Sequence, residues 1–233
     1  AGTVAAITNN ARAVAGVAGG YSDGTTGGAG NGCKIVPCRI GVTAKKGALT
    51  NGYVSMAAAA AAMNYLATLV DMGFNVAAIN CSWGNSNSGG LNAAADNLLA
   101  HDVMIIASAG NSNANAPSFL TSKAGVMAVG ATDSTGVGAS FSNFGSWVHL
   151  AAPGVTVMST WHEITDLDTT HMYVAVLDGT SMSSPHATGV AALLESYNPS
   201  LTGTDKFNLM VNNTAPFAPA NTKVLGSGIL NAQ

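Results

Sequence analysis

The segment Asp178-Gly179-Thr180-Ser181-Met182-Ser183-Ser184-Pro185-His186-Ala187-Thr188-Gly189-Val190-Ala191-Ala192-Leu193-Leu194 sets a serine where a helix is expected to begin. Backbone N–H groups in a first helical turn have no internal acceptor, and with the helix dipole they favour negative charge. A hydroxyl there can act as a nucleophile whose attack leaves an oxyanion beside the helix start. Pro185 suits an early helical position, where its missing donor is harmless, and Gly189 with the small residues after it should let the helix pack close to a sheet. On local physics alone the segment reads equally well as an ordinary helix with a serine at its start. A serine hydroxyl is a weak nucleophile without an adjacent base, itself held by an acid. The candidate bases are His101, His149, His162, His171 and His186. His186, nearest in sequence to Ser181, should project along the helix as a packing residue.

Gly179-Thr180-Ser181-Met182, followed by Pro185-His186, resembles the nucleophile motif of the subtilase family of serine peptidases (subtilisin-like, peptidase family S8), in which that serine attacks the scissile carbonyl. Ser183 stands where a G-x-S-x-G elbow requires its second glycine, which weakens an α/β-hydrolase assignment. Other blocks follow in the family's order. Ile79-Asn80-Cys81-Ser82-Trp83-Gly84 is similar to the strand that pairs with substrate backbone, so the resemblance implies that Ser82, Trp83 and Gly84 bind an extended peptide by strand addition; Trp83 reads otherwise as a core aromatic at a strand end. Ala107-Ser108-Ala109-Gly110-Asn111 resembles the block ending in the oxyanion asparagine. The resemblance makes Asn111 a side-chain donor to the oxyanion and Ser108, Ala109 and Gly110 a wall of the primary specificity pocket, roomy enough for large apolar side chains. Without it, Asn111-Ser112-Asn113-Ala114-Asn115 is a polar turn. Phe141-Ser142-Asn143-Phe144-Gly145, Leu150-Ala151-Ala152-Pro153-Gly154 and Gly226-Ser227-Gly228-Ile229-Leu230-Asn231-Ala232 are structural matches.

The opening residues depart from the family's pattern. Ala1-Gly2-Thr3-Val4-Ala5-Ala6-Ile7-Thr8-Asn9-Asn10 resembles the end of the histidine helix, whose motif runs H-G-T-x-V-A-G, with Ala1 and Gly2 on its final A-G; the histidine then falls five positions before Ala1 and the aspartate further upstream. Placing Ala1-Gly2-Thr3 on H-G-T itself puts alanine at the base and breaks the register of Thr8-Asn9-Asn10 and of Gly16-Val17-Ala18. Asp133-Ser134-Thr135-Gly136 superficially resembles the acid's motif, but it follows Val129-Gly130-Ala131, which matches a later strand; Asp178 reads as a turn residue. The resemblance therefore implies an endopeptidase acting through an acyl-enzyme at Ser181, with base and acid supplied by an upstream segment or an N-terminal fragment carried as a separate chain. The other reading is a pseudoprotease or peptide-binding fragment that holds an extended peptide or protein without cutting it. It also implies a structural calcium bound by the Asn9 side chain and the carbonyls of Ile7, Ala11 and Ala13, although Asn9-Asn10 reads equally as a plain helix end.

Around these motifs, strand-length apolar runs alternate with helical patterns: strands at Lys34 to Ile40, Val76 to Cys81, Val103 to Ala107 and Val126 to Ala131, and helices at Gly52 to Asp71 and Leu91 to His101. That alternation predicts an α/β fold with a parallel sheet flanked by helices. The resemblance sharpens it to a subtilisin-like three-layer sandwich, mostly parallel and incomplete on its N-terminal side, with 1–233 as one peptidase domain. With 233 residues, 48% of them hydrophobic, one buried core is expected. Charged residues make up only 8%, the net charge is -3 and no basic cluster occurs, which argues against nucleic acid and anionic membrane surfaces as partners. The alanine-rich stretch from Met56 to Leu69 is broken by Asn64 and Thr68 and is too short to span a bilayer. Cys33, Cys38 and Cys81 read as small buried thiols. Ala1 opens the sequence without an initiator methionine, and with the resemblance this implies a secreted enzyme made as a zymogen.

Overall fold

The computed structural model describes residues 1–11, 14–22, 31–46, 49–161 and 173–232; His162, His171 and Ala13 lie outside them. Helix α1 (Gly2–Ala5) is followed by β1 (Gly41–Lys46) and β2 (Leu49–Val54), an antiparallel pair. Then come α2 (Met56–Asp71), β3 (Ala78–Cys81), α3 (Leu91–Ala100), β4 (Met104–Ser108), β5 (Val126–Thr132) and β6 (Leu150–Pro153). A second antiparallel pair, β7 (Val157–Trp161) and β8 (Tyr173–Leu177), leads into α4 (Thr180–Tyr197) and α5 (Gly203–Asn212).

Strands β3, β4, β5 and β6 form one parallel sheet in that order. Every residue of β4 and β5 is buried, as expected of parallel strands covered on both faces. Alternation along β4 turns Ile105 and Ala107 into a cluster with Met63 and Leu66 of α2 and Leu91 and Leu98 of α3. Met104 and Ile106 turn the other way, to Ala187, Val190 and Ala191 of α4 and Met210 of α5. The result is the expected three-layer α/β/α sandwich. Ile105 and Ile106 are fully buried, each side chain contributing about 1.5–3 kcal/mol.

The helix expected from Gly52 begins at Met56. Ser55 caps it by accepting from Ala58 N at 3.2 Å, and the residues before it pair in β2. Lys34 to Ile40 joins no ladder among the described residues: Pro37 removes a donor, and Ile35 and Val36 are 43% and 46% exposed. The thiols divide as well. Cys81 is buried, and burial pushes it up to about 12, whereas Cys33 and Cys38 are half-buried; all three are free. Gly189 makes its close approach not to the sheet but to Val17, whose Cβ would lie 2.5 Å from an added one.

Candidate active site

The crevice beyond the carboxyl ends of parallel strands is where such sheets hold ligands, and there β3 and β4 deliver Ser82 and Asn111 to the start of α4. Ser181 is the second residue of that helix, so its N–H has no intrahelical acceptor and faces outward. Ser181 and Ser82 are tied twice: Ser181 Oγ donates to Ser82 O at 3.3 Å, and Ser82 Oγ donates to Ser181 O at 2.9 Å. Asn80, on β3, anchors this contact. Its Nδ2 donates to Ser82 Oγ at 2.9 Å, while its Oδ1 accepts from Ser184 Oγ at 2.7 Å and Thr188 Oγ1 at 3.3 Å.

Thr180 settles the orientation of Asn111. The Asn111 Oδ1 accepts from Thr180 N at 2.9 Å and from Thr180 Oγ1 at 2.8 Å, and Thr180 Oγ1 in turn accepts from Gly110 N at 3.0 Å. Gly179, the residue before the helix, supplies no side-chain cap, so the Asn111 carbonyl oxygen satisfies one of the orphan helix donors. With Oδ1 committed to two donors, Nδ2 is left as the free donor beside the N–H of Ser181. Both N–H groups lie at the helix start, since a Cβ on Gly179 would sit 3.2 Å from Asn111 Nδ2 and 3.6 Å from Ser181 N, and such a pair of donors favours negative charge.

Ser108 and Ala109, at and just beyond the end of β4, are buried, and Gly110 is half-buried. Trp83 packs against the cluster shared with α2 and α3, and Gly84 is exposed at the end of the strand. A cavity of about 210 Å³ lies between α1, the β7–β8 pair and the start of α4; Thr3, Ser82, Thr160, Trp161, Ser181 and Met182 line it. No described histidine hydrogen-bonds Ser181. His186 Nδ1 lies 2.8 Å from Met182 O, and burial holds this imidazole below its ordinary pKa. His101, at the end of α3, pairs with Asp71 at the end of α2 at 3.2 Å, and His149 lies between β5 and α5. Asp133 closes its own turn through Thr135 and Val137, and Asp178 accepts from Thr156 N.

Near the amino end, Asn9 has φ 55 and Ala11 φ 56. Asn9 Nδ2 donates to Ser22 O at 3.0 Å. Thr180 and Asn80 carry the site's geometry, and the sequence singles out neither. A polar Asn80 inside an apolar strand run was the available signal; nothing near Thr180 in sequence points to Asn111.

The profile of the subtilase family matches residues 1–233. An extracellular protease of Xanthomonas campestris pv. campestris is 34% identical over 100% of this chain and 38% of its own length. The M-protease of Shouchella clausii is 39% identical over 66% of this chain and 38% of its own length. The chain therefore spans well under half the length of both curated relatives. Among solved structures, a protease from Pseudoalteromonas arctica superposes with a TM-score of 0.79 at 28% identity, covering 99% of this chain and 67% of that one.

Proposed function

Since this chain belongs to the subtilase family, we propose that it is the serine-bearing part of an endopeptidase that hydrolyses extended peptides through an acyl-enzyme at Ser181. One observation carries the reading: Thr180 commits the Asn111 oxygen to the helix start, leaving the Asn111 amide nitrogen and the Ser181 N–H as paired donors. In the acylation step the Ser181 hydroxyl gives its proton to a base as Oγ bonds to the carbonyl carbon. The carbonyl oxygen takes the negative charge between the two donors. When the C–N bond breaks, the proton passes to the leaving amine.

The base and its acid come from a segment outside these 233 residues, either continuous with the chain or docked as a separate N-terminal fragment. The cavity of about 210 Å³ beside the serine, where a base would stand, supports this. Ser82, Trp83 and Gly84 hold substrate backbone as an added strand, and Ser108, Ala109 and Gly110 wall the primary pocket. A structural calcium, held by Asn9 Oδ1 and the carbonyls of Ile7, Ala11 and Ala13, would brace the loop after α1. The relatives named as extracellular proteases support a secreted enzyme; its synthesis as a zymogen belongs to the same proposal.

Taken alone, the chain fits the second reading, a peptide-binding fragment, because the Ser181 hydroxyl is engaged with Ser82 O rather than with a base. A fluorophosphonate probe separates the two readings. Ser181 is expected to label when the acid- and base-bearing segment accompanies the chain, as intact mass would establish, and to stay unlabelled in the chain alone. No labelling in either form would leave only binding; labelling of the chain alone would overturn the need for an outside base.

A further inference from the structure

Beyond Ser108 the chain leaves the sheet, and only one further ladder bond, Ala109 N to Val129 O at 2.9 Å, ties it to β5. The following loop must nevertheless hold Asn111 still, because an oxyanion donor acts only if its position is fixed before charge develops. Residues 109–116 contain no helix or strand, so their order must come from somewhere else. We propose that the Asn143 side chain is the internal template of this loop and thereby a positioning residue for the Asn111 donor. This rests on the reading of Asn111 given above.

Asn143 is 7% exposed, and the loop wraps around its amide. Nδ2 donates to Ala109 O at 3.0 Å and to Ala116 O at 3.4 Å, while Oδ1 accepts from Ser112 N at 2.9 Å and from Ala114 N at 3.1 Å. Its backbone N–H adds a bond to Gly110 O at 2.8 Å. An asparagine amide has two donor hydrogens and two acceptor lone pairs, and all four are used, on residues before and after Asn111. Aspartate would keep the acceptors but turn a negative charge toward the carbonyls of Ala109 and Ala116, and alanine would orphan four backbone groups. The fit is close: a Cβ on Gly110, whose φ is 104, would lie 2.5 Å from Asn143 Nδ2.

Lys223 closes the same assembly from outside. Its Nζ donates to Asn113 Oδ1 at 2.7 Å, Ser140 O at 2.7 Å and Ser142 O at 3.0 Å, fastening the loop to the segment that carries Asn143. Asn143 itself bonds neither Ser181 nor Thr180, so its effect on turnover must pass through the loop.

The test uses the full-length protein, with its acid and base, and compares kcat and KM for Asn143→Ala, Asn111→Ala and the double variant. Misplacing a reacting or stabilising group by about 1 Å costs on the order of 100-fold, so Asn143→Ala is expected to lower kcat by about 10- to 100-fold with KM little changed. In the double variant it should add little to Asn111→Ala, because the donor it positions is already gone. Asn143→Ala with undiminished kcat, or factors that multiply in the double variant, would overturn the proposal. If Asn111→Ala itself leaves kcat unchanged, the oxyanion reading fails instead. Should Asn143→Ala not fold, Asn143→Asp, which keeps the acceptors for Ser112 N and Ala114 N but loses the donors to Ala109 O and Ala116 O, must lower kcat and add little to Asn111→Ala.

Discussion

Lowering the pH should destabilise this fold through His149. Its Nδ1 accepts from Ala128 N at 3.0 Å while its own backbone N donates to Ala128 O at 3.0 Å. The ring proton is therefore on Nε2, and the ring stands edge-on to Phe207 with centroids 5.0 Å apart. Burial holds His149 below its ordinary 6.5. The folded state resists a proton that the unfolded chain accepts near 6.5, so the contribution is fully present above that pH and is lost as pH falls through the folded value. One proton bounds the slope at about 1.4 kcal/mol per pH unit. Protonation also turns an N–H toward the Ala128 N–H, and an unmade bond of that kind costs about 1–3 kcal/mol. Because the ring is only partly buried, solvent screening keeps the loss below these limits. His149→Asn is the diagnostic change, since its Oδ1 can accept from Ala128 N and does not titrate. Urea midpoints for both proteins between about pH 7.5 and about pH 5 should diverge, the native protein falling faster. His186, also held low by burial, and His101, held high chiefly by its bond to Asn97 O, remain in both proteins and cancel in the difference. Parallel pH profiles would refute the account of His149.

The ion pair joining α4 to α5 makes a second case: Lys206 Nζ and Glu195 Oε2 are 2.5 Å apart, with side chains 3% and 13% exposed. Glu195→Gln or Lys206→Met should cost about 3–5 kcal/mol by urea unfolding, because each strands a buried charge, while Lys206→Met combined with Glu195→Leu should recover most of it. Single variants within about 1 kcal/mol of the native protein would mean that the charges reach solvent. Between β6 and α4, a Cβ on Gly154 would lie 2.3 Å from Ser183 Oγ and 2.6 Å from Ala131 Cβ. Gly154→Ala is expected to cost about 1–3 kcal/mol. The Ser183 hydroxyl is buried without a hydrogen-bond partner, so Ser183→Ala should be neutral or stabilising and should soften Gly154→Ala. Strict additivity of the two in thermal unfolding would rule out their contact.

What could be read from the sequence was what near neighbours decide. The runs that became β3, β4 and β5 are short and apolar, β4 and β5 being buried on both faces and β3 only partly, whereas Ser181 stands out from other helix-start serines only through the motif around it. The β7–β8 pair escaped because its outward residues are apolar: Met158, Val174 and Val176 are 51%, 47% and 49% exposed, so alternation does not mark a buried face. The start of α2 was misjudged because residues preceding the Ser55 cap have no breaker strong enough to separate β2 from the alanine run. Orientation within the site lay furthest out of reach. The Asn111 amide is turned by Thr180, 69 residues away, and its loop is shaped by Asn143, which local pattern marks only as a polar residue between two phenylalanines. Asn80 is the exception that indicates how more could be read. An asparagine inside the apolar run Ala78-Ile79-Asn80-Cys81, half-buried in the sheet, must find partners for what it withdraws from water. Among the helices, α4 offers hydroxyls four residues apart on one face, Ser184 and Thr188, and these are the two that Asn80 Oδ1 accepts from. A polar interruption in a partly buried strand, matched to hydroxyls at helical spacing, thus docks β3 against the nucleophile's helix and brings Ser82 to Ser181.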